Sequence, residues 1–166
     1  MSARFLGYEN IIPLVSPADV STTATTTPYV QLSNAQRAAF LVFFGSITSS
    51  TATDVEAIVL QCATAEGGTE AGLGYSYRLS GAVGANTWGA VTTVGATGYA
   101  AGLSDDDKIL WIEIPVDVMA ANDYRVARLV LTDTDDMIAF EVAVLAVIEP
   151  RYAQTTHISA TASASA

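Results

Sequence analysis

The residues best suited to chemistry are few, and their spacing argues against catalysis. His157 is the single histidine and lies in AQTTHISATASASA, where no scaffold holds an imidazole within reach of a nucleophile, so no Ser-His-Asp arrangement is expected. The GYSYR segment around Ser76 lacks the closing glycine of a nucleophile elbow, and GLGYSY lacks the third glycine of a dinucleotide-binding loop. Asp133, Asp135 and Asp136 offer hard oxygen ligands of the kind calcium takes, but position 137 is Met and no glycine follows. A solvated hairpin turn is the favoured reading there, and the same holds for Asp105, Asp106 and Asp107. Glu56, Glu113 and Glu141 are the acids a glycosidase would need, yet each reads as part of an exposed or interfacial strand face. Tyr75, Tyr77, Trp88 and Trp111 could stack on sugar rings, although packing in a core or interface is the commoner use of such rings. The expectation is a non-enzyme with no catalytic residues, no cofactor and no metal.

The elements that would position such residues are strands. Residues 137–149 (MIAFEVAVLAVIE) alternate Ile138, Phe140, Val142, Val144, Ala146 and Ile148 against Ala139, Glu141, Ala143, Leu145, Val147 and Glu149. Both faces are largely apolar, which predicts a central strand covered on both sides. Residues 37–48 repeat the pattern, Phe40, Val42 and Phe44 opposing Leu41, Phe43 and Ile47, and residues 55–64 follow as the second arm of an expected hairpin. YVQL, YSYRLSG, AVTTV, the stretch around Tyr99, KILWIEIP and YRVARLVLT are further strands. Trp88 is expected to plug one end of the core, and PVDVMAAND to form a short helical turn. The Asp-rich link at 133–136 is read as joining 124–132 to 137–149 in a second hairpin. Across strands, Arg78 or Arg128 is expected to pair with Glu141 or Glu56. About eight strands with almost no helix predict an all-β, antiparallel two-sheet sandwich, jelly-roll-like.

Composition bounds the partners. Hydrophobic residues make up 51% of the 166 and charged residues 14%, against about 25% charged in average globular proteins. Surface that charge does not dress is dressed by small residues or by other subunits, so association is expected. Seven basic residues against 17 acidic ones give a net charge of −10, which argues against a nucleic-acid partner, whose backbone is held by clustered Lys and Arg. MSARFLGYEN lacks the basic start and apolar core of a signal peptide, and no apolar run approaches a bilayer span, so no membrane partner is expected. The lone Cys62 cannot form an internal disulfide.

Residues 1–28 read as an extended N-terminal arm, punctuated by Pro13, Pro17 and Pro28 and rich in Ser and Thr. Its apolar residues Phe5, Leu6, Tyr8, Ile11, Ile12 and Leu14 would be costly to leave in water and are expected to lie on a neighbour. Residues 29–152 are the sandwich domain and 153–166 a Ser/Thr/Ala-rich tail.

The segment RLS-x-AVG-x-x-x-WG at 78–89, the KILWIEI and YRVARLVLT strands, and a last strand closing on EPRY at 149–152 resemble small structural proteins encoded among the head genes of tailed bacteriophages. The resemblance implies a virion component. It is closest to trimeric decoration or cement proteins, made in the host cytoplasm, that sit on the capsid surface and bridge major capsid subunits. It implies the major capsid protein and further copies of the chain, as a homotrimer, as partners. Contacts are expected from the arm, from Glu141 and from Tyr152. A tail-tube, head-completion or fibre-associated protein is the alternative, as is a carbohydrate-binding sandwich.

Overall fold

The computed structural model describes residues 10–51, 55–132, 137–151 and 160–161. In chain order the strands are β1 (Asn10–Asp19), β2 (Thr25–Thr26), β3 (Tyr29–Gln31), β4 (Ala35–Ser49), β5 (Val55–Ala63), β6 (Ala71–Leu73), β7 (Tyr75–Leu79), β8 (Thr92–Val94) and β9 (Tyr99–Gly102). They continue with β10 (Ile109–Glu113), the short helix α1 (Val116–Ala121), β11 (Val126–Leu131), β12 (Met137–Pro150) and β13 (Ala160–Thr161). The first sheet has six strands in the order β1-β12-β4-β10-β7-β8. The second runs β13-β3-β11-β5-β6, with β2 on β11 and β9 on β5. The pairing is antiparallel throughout, so the protein is the all-β two-sheet sandwich that the alternating pattern predicts.

The core lies between the sheets and is built by period-2 alternation. Phe40, Val42 and Phe44 of β4, Leu110 and Ile112 of β10, and Val142, Val144, Ala146 and Ile148 of β12 point inward and are buried. They share one apolar cluster with Ile58 and Leu60 of β5 and Leu129 and Leu131 of β11. Each of the Val, Leu, Ile and Phe side chains among them contributes about 1.5–3 kcal/mol by leaving water. Phe44 and Phe140 meet with ring centroids 5.9 Å apart. Tyr75 fastens one sheet to the other: its hydroxyl donates to the Ile58 carbonyl at 2.6 Å and accepts the Tyr99 amide at 2.9 Å. Gly98, at φ +82, crosses so close to β5 that a Cβ there would stand 2.1 Å from the Ile58 carbonyl oxygen.

Several expectations are corrected. The described part of the supposed arm belongs to the sandwich: β1 pairs along β12 from Asn10↔Ile148 to Asp19↔Glu141. Pro13 and Pro17 disguised it, because proline is tolerated on an edge strand, where one side of the backbone needs no partner. Register shifts after Pro13 and Val15 accommodate them. The Asp19 carboxylate then accepts the amides of Phe140 and Ser21, each at 3.0 Å, which holds it below the usual carboxylate range. The far end of the tail contributes β13, paired with β3.

Neither expected hairpin forms. β4 and β12 lie in the first sheet, whereas β5 and β11 lie in the second, so both connections cross the sandwich. β4 instead pairs with β12, and β5 with β11, across long sequence separations.

Candidate functional site

The chemistry-bearing residues are dispersed. Among the described residues no group of three or more His, Cys, Asp or Glu is placed to hold a metal ion. His157 and the Asp-rich link at 133–136 lie outside the described residues. Asp105 is not a solvated turn residue: it is 3% exposed. Its carboxylate accepts the Tyr99 hydroxyl at 2.9 Å, the Gly102 amide at 3.1 Å and the Ser104 hydroxyl at 3.5 Å. Asp106 accepts the Ile47 amide at 2.9 Å, so this acidic run ties the β9–β10 link to β4. Asp105→Ala would leave a phenol and an amide without their acceptor in a closed site, at a cost of about 2–3 kcal/mol. Urea unfolding of the variant checks this, and a loss within error of zero would refute the structural role.

Glu113 and Glu141 are exposed as expected, but Glu56 is buried on β5, contrary to the strand-face reading. The cross-strand pair expected for Arg128 is also replaced, and Arg78 is exposed beside Trp111 in register. Arg128 pairs with Glu70 and donates to Gln61 at 3.0 Å, while its guanidinium sits 4.7 Å over the Tyr29 ring, whose hydroxyl donates to Glu70. That cluster gives the second sheet a polar group on its surface. Among the described residues nothing comparable covers the centre of the first.

The outer face of the first sheet is the feature that stands out. Inward-facing residues of β4, β10 and β12 alternate with outward ones that remain apolar. Register places Pro13, Leu145, Leu41, Trp111 and Arg78 in one row across five strands. The next row is Ile11, Val147, Ala39, Glu113 and Ser76, and a third holds Ala143, Phe43 and Ile109. Leu41, Phe43, Leu145 and Val147 are half-buried by their neighbours alone, while Trp111 is 41% and Ile11 51% exposed. Trp88 does not plug the core. It is 42% exposed and stands edge-on to Trp111, centroids 6.1 Å apart, beside the bridge between Ser80 and itself. Of these residues Ile11, Ala39, Leu41, Trp88, Trp111 and Val147, with Arg78 and Glu113, line an open groove of about 760 Å³. Among the described residues the central strand β12 is therefore covered on one side only, because they form two layers and its outward residues meet no third.

Of the expected contact residues, Ile11 and Glu141 are on this outer face of the sheet, and both are exposed. Glu141 reaches back toward the Ser46 amide at 3.4 Å. Ile12 and Leu14 are corrected, since they pack against the chain's own core instead of a neighbour. Phe5, Leu6, Tyr8 and Tyr152 lie outside the described residues. Sequence reasoning missed Leu41 and Val147, although the signal was there in the second apolar face of their strands, and it named Trp111 only as a ring that could stack on sugars.

Comparison with family models, with curated proteins and with solved structures yields no match.

Proposed function

We propose that this chain is a non-enzymatic structural protein of a bacteriophage virion, a decoration or cement protein that binds the outside of the head and bridges major capsid subunits. The observation that carries an assembly role is the apolar outer face of the first sheet, on a molecule whose charged residues make up only 14% of the chain. A protein that works alone in water rarely leaves such a face bare. The phage setting rests on the resemblance of residues 78–89 and of the later strands to head-gene products. Its partners on this reading are the major capsid protein and copies of itself, and its place is the capsid surface after synthesis in the host cytoplasm. Cys62 takes no part in this reading: it is buried, and burial pushes its thiol up to about 12, which keeps it unreactive.

The test is to mix the purified protein with undecorated phage capsids, sediment the shells, and measure their heat resistance. Co-sedimentation with a raised shell melting temperature is the expected result. Protein left wholly in the supernatant defeats the reading. A second reading, carbohydrate binding, draws on the paired rings of Trp88 and Trp111, flanked by Arg78 and Glu113. Glycan-array binding that disappears in Trp111→Ala would favour it.

A further inference from the structure

We infer that the outer face of the first sheet docks against the same face of a second copy of this chain, pairing molecules two at a time. The inference deepens the assembly reading and rests on it, but it assigns this face to self-contact and leaves the shell to other surfaces. Charge points to the occupant. Four ionised side chains line the groove, Arg37, Arg78, Glu113 and Glu149, and their charges cancel. The entire net charge of −10 therefore resides elsewhere on the chain. Two copies of so acidic a molecule repel through most of their surface, and this neutral groove is where close approach costs least, Glu141 lying on the same face beyond it. It would gain little from a strongly basic partner.

The arrangement is also self-complementary. In an isologous contact each residue of the patch meets the patch itself, so a rim carrying both signs can set Arg against Glu across a two-fold axis. Arg37 and Glu149 already stand 3.9 Å apart in solvent, a pair worth little alone that a second copy would shield from water. Between Arg37 and Glu149 at one end and Arg78 at the other lie Leu41 and Trp111, the apolar and aromatic centre of the groove, with Glu113 beside Ala39 among them. Five strands about 4.8 Å apart and three rows of outward residues span a platform roughly 20 Å across, before side chains overhang it. Its other dimension, three rows about 7 Å apart, is roughly 14 Å, so the platform falls below the about 800 Å² per partner of a standard interface and the contact is a weak one that dilution reverses. Two sheets packed face to face would repeat, between molecules, the layer contact already made within one.

The chain reports on this contact itself, because its only two tryptophans, Trp88 and Trp111, both border the groove. Light scattering across a dilution series is expected to give the mass of two chains, falling twofold on dilution. Tryptophan emission should move to longer wavelength in step with that fall. Leu41→Glu should yield one-chain mass and long-wavelength emission at every concentration. Val147→Arg, placed toward the edge of the platform, provides a second variant should the first fail to fold, and far-UV dichroism confirms that each sheet persists. A one-chain mass for the unaltered protein, a closed three-chain assembly, or a dimer that survives in both folded variants would overturn the proposal. So would short-wavelength emission at one-chain mass that is lost on removing residues 1–9, because the chain's own N-terminal segment would then be the occupant. Capsid sedimentation separates the two readings. A dimer that ignores shells defeats cementing and leaves self-docking intact, whereas a monomer that pellets with shells does the reverse.

Discussion

Phe40→Ala is expected to destabilise the protein by about 3–5 kcal/mol, the usual cost of opening a cavity where a buried ring stood. Phe40 is fully buried, with Ile112 and Ala146 as its register partners on the two flanking strands. Those strands are held from their other sides by β7 and β1, so the sheet has little freedom to collapse into the space. Phe43→Ala makes the same chemical change three residues along the same strand, on the opposite face. Phe43 is only half-buried, and in dilute solution its loss should cost about 1 kcal/mol. For a chain of this size the first variant should melt about 10 °C or more below the parent, and the second only a few degrees below. Thermal and urea unfolding of both variants decide the matter. Equal losses would mean that β4 does not divide core from surface as described. If self-docking holds, Phe43→Ala should in addition weaken the dimer, which Phe40→Ala should not do at temperatures where it remains folded.

The contrast between those two phenylalanines also explains what was legible in the sequence. Alternation located the strands, since Phe40, Val42 and Phe44 fall on one face whatever the topology, and the fold class followed from strands without helices. Strand partners did not follow. The connections from β4 to β5 and from β11 to β12 carry ordinary turn residues, and a turn that leads into the opposite sheet has the same composition as one that closes a hairpin. β1 was hidden because its prolines break the alternation that the edge position permits. The candidate site was half visible. Leu41, Leu145 and Val147 signalled a second apolar face, but whether such a face is covered by another layer of the same chain is a question of layer count, which alternation does not encode. Trp88 was misplaced for a related reason, since a large ring in a glycine-rich loop carries no periodicity to say which side of the sheet it joins. Glu56 shows the limit from the other direction: a charged residue in an apolar strand reads as surface, yet here it is buried where β9 pairs alongside β5, with Ala101 as its register partner.

Raising the pH should unfold the protein cooperatively, and the groups responsible can be named. Burial lifts the Tyr29 phenol to about 12, helped by its hydrogen bond to Glu70, and lifts the Cys62 thiol to about 12. Burial also raises Tyr75, partly opposed by the Tyr99 amide, and raises Tyr99, where the neighbouring Asp105 carboxylate adds to the effect. All four therefore hold their protons more tightly when folded than when unfolded. Their contribution to stability is complete below the unfolded values, 9.0 for the thiol and 10.0 for the phenols, and is lost as pH climbs toward the folded ones. Each fully enclosed group in that window removes about 1.4 kcal/mol per pH unit. Tyr29, Cys62 and Tyr75 acting together remove about 4 kcal/mol per unit above pH 10, which over two units consumes much of the 5–15 kcal/mol that typical domains have. Tyrosinate absorbance followed beside far-UV dichroism should show these phenols ionising in one steep step that coincides with loss of the sheets. Tyr75→Phe should make that step shallower by removing one titrating group, while lowering stability at neutral pH because the Ile58 carbonyl and Tyr99 amide lose the hydroxyl that joins them. A broad titration of every tyrosine near pH 10 with the sheets intact would contradict the enclosure of Tyr29 and Tyr75, and with it the inter-sheet strut on which this sandwich is hung.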